Sequence, residues 1–186
     1  MRKSVVVVIL AEGFEEIEAF TPIDILRRAG IEVVIAGLEG GNITGAHGVK
    51  VACDLEISDM DFDMIDGVVL PGGLPGAENL AASYVLLDAI KVLNGKGKLV
   101  AAICASPAYV LEKTGILVER SATCYPGCES RFSPEVKFLV QDVVVDGNII
   151  TSRGPATAFP FALALVEYLA GKEKRDELAK GMLWTK

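Results

Sequence analysis

The stretch Leu99–Val110 reads LVAAICASPAYV, and its reading decides the fold. An apolar run stops at Cys104, and small residues and a proline follow at once. This is the pattern of a buried strand (Lys98–Ile103), a sharp turn carrying a thiol, and a helix over Ser106–Lys113. Pro107 falls in the first turn of that helix, where proline is tolerated. The same strand–nucleophile–helix logic builds the nucleophile elbow of serine hydrolases, although the glycines of that motif are absent. A cysteine on such a turn is expected to expose its sulfur to solvent near the positive end of a helix dipole. Both features favour the reactive thiolate.

Outward from this segment, strands and helices alternate. Val5–Leu10 is a β-branched run suited to a strand buried on both faces. Glu15–Ala29 has helical spacing through Ile17, Phe20, Ile23 and Leu26, and Gly30 closes it. Glu32–Ala36 is a second strand, and residues 38–61 read as small extended pieces in a Gly-rich stretch. Gly67–Leu70 is a buried strand that stops at Pro71-Gly72-Gly73. Tyr84–Asn94 reads as a helix. Asp146-Gly147, between Gln141–Val145 and Asn148–Thr151, is a hairpin signal. Ala158–Leu169 is an apolar helix ended by Gly171, and Lys172–Lys180 a charged one with a solvated face. Alternation of this kind predicts an α/β fold, a mostly parallel sheet with helices on both faces, as one domain over residues 1–186. Ligands in such folds sit at the carboxyl ends of the strands. Leu10–Glu18, Leu70–Gly73 and Cys104 all lie at such ends and should converge.

Composition narrows the function. The 186 residues are 51% hydrophobic with a mean hydropathy of +0.42, enough for a well-filled core. Eighteen basic and 25 acidic residues leave a net charge of −7, so nucleic acid is not the expected main partner. The longest uncharged runs, Leu99–Leu111 and Gly154–Val166, have 13 residues each, short of a membrane span. Arg2 and Lys3 precede an apolar run, but Glu12, Glu15 and Glu16 follow it and no cleavage pattern appears. The reading is a cytoplasmic protein in a reducing compartment, with Cys53, Cys104, Cys124 and Cys128 as thiols. Cys124 and Cys128 lack the further ligands a zinc site needs, since His47 is the only imidazole, so no metal is expected. Two ordinary thiols, or a pair that oxidises under stress, fit better. Trp184 reads as packing. Glu15 and Glu16 read as exposed helix carboxylates.

Five segments carry a resemblance over nearly the whole length: Ala11–Glu18 (AEGFEEIE), Leu26–Gly30 (LRRAG), Val69–Gly73 (VLPGG), Ala101–Ala105 (AAICA) and Thr151–Pro155 (TSRGP). In these the chain resembles the ThiJ/PfpI superfamily, in the branch of the parkinsonism-associated protein deglycase. The resemblance implies a flavodoxin-like (Rossmann-like) three-layer sandwich related to class I glutamine amidotransferases, and a homodimer. It implies Cys104 as nucleophile, Glu18 as the acid that contacts it, and the amides of Gly73 and Ala105 as oxyanion donors. Glu15, Gly72, Tyr125 and His47 are the implied substrate contacts. Many members of this branch place a histidine before a proline after the elbow helix; here Tyr125 precedes Pro126. Proteases of the superfamily follow the elbow cysteine with a histidine, whereas here Ala105 follows Cys104, which argues against a cysteine peptidase. The activity implied is a cofactor-independent glyoxalase or deglycase acting on methylglyoxal, glyoxal or glycated amines. The alternative is a redox-sensing stress chaperone with an oxidisable cysteine and little turnover.

Overall fold

The computed structural model describes residues 3–185; Arg2, counted above with the basic N-terminus, lies outside them. The β-branched runs form strands where the sequence predicts them. Strand β1 (Val5–Leu10) leads to helix α1 (Glu16–Arg28) and strand β2 (Glu32–Gly37). The Gly-rich stretch supplies β3 (Asn42–Thr44), β4 (Lys50–Ala52) and β5 (Leu55–Glu56). Then come β6 (Gly67–Leu70), α2 (Gly76–Ala82), α3 (Tyr84–Gly95) and β7 (Leu99–Ile103). A π-helical turn, Pro107–Leu111, passes into the short α4 (Glu112–Thr114). The two-residue strands β8 (Ser121–Ala122) and β9 (Lys137–Phe138) pair with each other. The hairpin of β10 (Val143–Asp146) and β11 (Ile149–Ser152) turns at Gly147–Asn148, and α5 (Ala158–Ala170) and α6 (Lys172–Gly181) close the chain.

Seven strands form one sheet in the order β10-β11-β7-β6-β1-β2-β5. Only β10 runs antiparallel to its neighbour. Side chains alternate across a strand, and the burial follows. Val6, Val8 and Leu10 join the core layer with Ile23 and Leu26 of α1 and Phe161 and Leu165 of α5. Val7 and Ile9 join the opposite layer with Leu80 of α2 and Leu86, Ile90 and Leu93 of α3. The result is the flavodoxin-like α/β sandwich. From β1 the chain steps to β2 on one side and later to β6 on the other. The crevice beyond their carboxyl ends is therefore the topological switch point where such sheets bind ligands.

Two local readings need correction. Helix α2 has no counterpart in the sequence reading. Its residues are mostly small, and its order comes from burying Ala77, Leu80 and Ala81. The elbow helix, expected to run regularly over Ser106–Lys113, instead opens with the π-helical turn, a device that recurs at functional sites.

Candidate active site

Three strand ends build the site. After β7 the backbone at Cys104 takes φ +65°, a left-handed conformation that costs a non-glycine residue about 1–3 kcal/mol and persists only where its surroundings impose it. Here they do. The Cys104 N–H donates to the Ser152 carbonyl at 2.9 Å, and its carbonyl accepts from the Tyr125 N–H at 2.8 Å. The expected elbow is thus present. Ser106, fully buried two residues beyond Cys104, donates its hydroxyl to the Pro71 carbonyl and ties the elbow to the end of β6.

Glu18, in the first turn of α1, is 0% exposed. Its Oε2 accepts from the Gly72 N–H at 2.8 Å, while Oε1 is buried without such a partner. The carboxyl faces the Cys104 thiol and hydrogen-bonds it. Gly72 is required by space. A Cβ there would lie 2.6 Å from the Cys104 Cβ and 2.8 Å from Glu18 Oε2. Gly73 is required by conformation as well: its φ is +85°, and a Cβ would meet the Gly13 carbonyl at 2.5 Å.

The electrostatics overturn one expectation. The thiol is neither exposed nor readily ionised. Cys104 is 9% exposed. Burial first, then the charge of Glu18 and its hydrogen bond, push the thiol well above its ordinary range. The amides of Gly73 and Ala105 aim at the sulfur and pull the other way, without prevailing. The helix beyond the elbow begins irregularly and is short, so its dipole is a small effect beside desolvation. Burial also drives the Glu18 carboxyl up, to about 7, against the hydrogen bonds from Cys104 and Gly72; the charge of Glu15 adds to the rise. Near neutral pH the thiol keeps its proton, and the group of the pair that titrates is the carboxyl.

A second cluster lies at the start of α1. Glu16, expected to be exposed, is buried to 8% exposure. It accepts from the His47 N–H and ring Nδ1, both at 2.8 Å. Burial works against its charge, but the bonds from His47 and Val49 hold its pKa below the ordinary carboxylate value. The same hydrogen bond, then the charges of Glu15 and Glu16, raise that of His47. Glu15 Oε2 stands 3.7 Å from His47 Nδ1. These three side chains are close enough to share a cation, yet the hydrogen bonds alone account for their arrangement. Among the described residues, no cluster of three ligating groups includes Cys124 or Cys128. Local sequence carries no signal for Glu16, whose partners sit 31 and 33 residues away.

Two open grooves flank the elbow. One, of about 480 Å³, is lined by Glu15, Glu16, Ile17, His47, Val49 and Pro155. The other, of about 220 Å³, is lined by Tyr125, Arg153 and Gly154 among others and shares Pro155 with the first. Tyr125 is half exposed and touches the elbow through its backbone. The structure thus brings Cys104, Glu18, Gly72, Gly73 and Ala105 into contact. It sets Glu15, His47 and Tyr125 around them along the two grooves. Trp184 stacks on Phe159 with ring centroids 4.7 Å apart, a packing role as expected. No helix among the described residues is long and apolar enough to cross a membrane.

Comparison with known proteins agrees with this architecture. The family model described as DJ-1/PfpI matches residues 3–168. The protein dj-1beta of Drosophila melanogaster is 44% identical over 185 residues, covering 98% of each chain. The glutathione-independent glyoxalase DJR-1.2 of Caenorhabditis elegans is 35% identical, covering all of this chain and 98% of its own. The structure of oxidised Toxoplasma gondii DJ-1 superposes with a TM-score of 0.94 at 40% identity, covering 98% of this chain and 100% of that one. The chain belongs to the DJ-1/PfpI family.

Proposed function

We propose that the protein is a cofactor-independent glyoxalase that converts methylglyoxal and glyoxal to hydroxy acids through Cys104. The observation that carries this reading is the buried pair of Cys104 and Glu18, with the carboxyl at about 7 and the thiol protonated. A carboxyl matched to neutral pH is suited to both taking and giving a proton. Attack of sulfur on the aldehyde carbon forms the C–S bond while the thiol proton passes to Glu18. The amides of Gly73 and Ala105, freed from the thiol, receive the developing oxyanion. Glu18 then carries the proton between the two carbons as the hemithioacetal rearranges to a thioester. Water cleaves the thioester, restoring the thiol. The sum is methylglyoxal plus water giving lactate and a proton. The glyoxalase name of the Caenorhabditis relative supports the same chemistry.

We assign substrate contact to Glu15, His47 and Tyr125 along the grooves. Gly72, whose amide is used on Glu18, we reassign to holding the carboxyl. Removal of early glycation adducts from amines would follow the same path at the same sulfur. The test is lactate formation from methylglyoxal by the wild type and Cys104→Ser; equal rates overturn the proposal. Exposed Ile17 and Val49 share a groove, which supports self-association as a homodimer. Sedimentation of a monomer at micromolar concentration would refute that part.

A second reading is a redox sensor with little turnover in a reducing, cytoplasmic setting. It is favoured by the donors around Cys104: the amides of Gly73 and Ala105 and a protonated Glu18 suit the oxygens of a sulfinate. Mild peroxide should then add oxygen at Cys104 before Cys53, Cys124 or Cys128. Uniform oxidation of all four would count against it.

A further inference from the structure

Cys124 and Cys128 stand outside the chemistry assigned above. The segment Tyr125-Pro126-Gly127-Cys128 is a turn closed by the Cys128 N–H donating to the Tyr125 carbonyl at 3.0 Å. Proline at its second position and Gly127 at φ +94°, ψ −19° make it type II. Such a turn brings its end Cα atoms, those of Tyr125 and Cys128, within about 7 Å, so the chain reverses between the two cysteines. Cys128 closes the turn, and Cys124 immediately precedes it. Both are free thiols; Cys124 is fully buried and Cys128 partly exposed. Burial raises both thiols above their ordinary range, and the charge of Cys128 adds to the rise at Cys124; Arg153 beside Cys124 and Arg131 beside Cys128 pull the other way. The Arg131 guanidinium is held in place 3.8 Å over the Tyr109 ring.

We propose that Cys124 and Cys128 form a reversible intrachain disulfide on exposure to a hydroperoxide, as a redox site distinct from Cys104. The partly exposed Cys128 sulfur attacks the peroxide, breaking the O–O bond. It becomes a sulfenic acid, and one water leaves. The Cys124 sulfur attacks that of Cys128 from the core side and gives up its proton; the S–O bond breaks, the S–S bond forms, and a second water leaves with that proton. The two thiols lose two electrons and two protons, and the peroxide is reduced to two waters. The closed ring is small, so the bridge constrains the unfolded chain little and stays open to reduction by thiols. The N–H of Tyr125, the residue after Cys124, donates to the Cys104 carbonyl at 2.8 Å. Closing the bridge therefore acts on the segment that holds the elbow.

The test leaves only this pair, in Cys53→Ser/Cys104→Ser protein treated with stoichiometric hydrogen peroxide. The expected result is loss of both free thiols and of two hydrogen atoms in the intact monomer mass, reversed by dithiothreitol and absent when Cys128→Ser is added. Differential alkylation and peptide mapping of peroxide-treated wild type should show the same bridge, should the double variant fold poorly. Two thiols that survive, oxygen added at Cys128 without hydrogen loss, or bridges only between chains would overturn it. None of these readouts depends on lactate formation, so failure here is distinct from failure of the glyoxalase reading.

Discussion

Replacing Glu18 by Gln removes a titration while leaving the shape of the side chain. The Gln oxygen still accepts the Gly72 N–H, so the 2.8 Å contact survives. What disappears is a carboxyl whose pKa rises from the ordinary 4.5 to about 7 on folding, mainly through burial. Below pH 4.5 both folded and unfolded chains hold this proton, and the group has no effect on stability. As the pH rises the unfolded chain releases the proton first, so stability is lost until the folded carboxyl also ionises near 7. Between pH 5 and pH 8 the loss amounts to about 2.5 kcal/mol. Urea unfolding of the wild type and Glu18→Gln at these two pH values measures it, since other titrations cancel in the difference. The variant should gain about 2–3 kcal/mol on the wild type from pH 5 to pH 8. A stability gap that stays constant over that range refutes the buried, proton-sharing carboxyl on which the proposed chemistry rests.

The same variant should make Cys104 more reactive, because the charge and hydrogen bond of Glu18 raise the thiol. Iodoacetamide should label Cys104 faster at pH 8 in Glu18→Gln than in the wild type, even though lactate formation is lost. Slower labelling would contradict the assignment. Gly72→Ala puts a Cβ 2.6 Å from that of Cys104; it should cost about 1–3 kcal/mol in stability and lower activity roughly 100-fold. Turnover like the wild type would show that the pair tolerates displacement. His47, bonded to Glu16, should titrate by NMR above its ordinary 6.5, and Glu16→Gln should bring it down. Its raised folded pKa means that its contribution is present below 6.5 and lost as the pH rises through the folded midpoint. Trp184→Ala removes the stack on Phe159 and should lower stability by at least about 0.5–1.5 kcal/mol while lactate formation persists. Loss of activity in a folded variant would assign Trp184 more than packing.

Much of the fold is legible in short stretches of sequence. Val5–Leu10, Gly67–Leu70 and Leu99–Ile103 are apolar runs of strand length that fit only a sheet covered on both faces. Asp146-Gly147 announces its hairpin, and an apolar run broken at Cys104 announces the elbow. These signals are local because strand pleat, turn conformation and helical period are properties of a few consecutive residues. Helix α2 escaped because seven mostly small residues carry no period; packing alone orders them.

The chemical state of the site belongs to the tertiary structure. Sequence determines that a thiol stands at a strand end and that Glu18 and Gly72-Gly73 stand at neighbouring ones. It does not reveal that Glu18 and Gly72, 54 residues apart, close over that thiol and keep it protonated, nor that Glu16 is buried against His47. Ionisation depends on the dielectric and on the charges within a few ångströms of an atom, and here those neighbours come from other elements of the chain. Position along the chain places the nucleophile; only the packed surroundings determine where its proton resides.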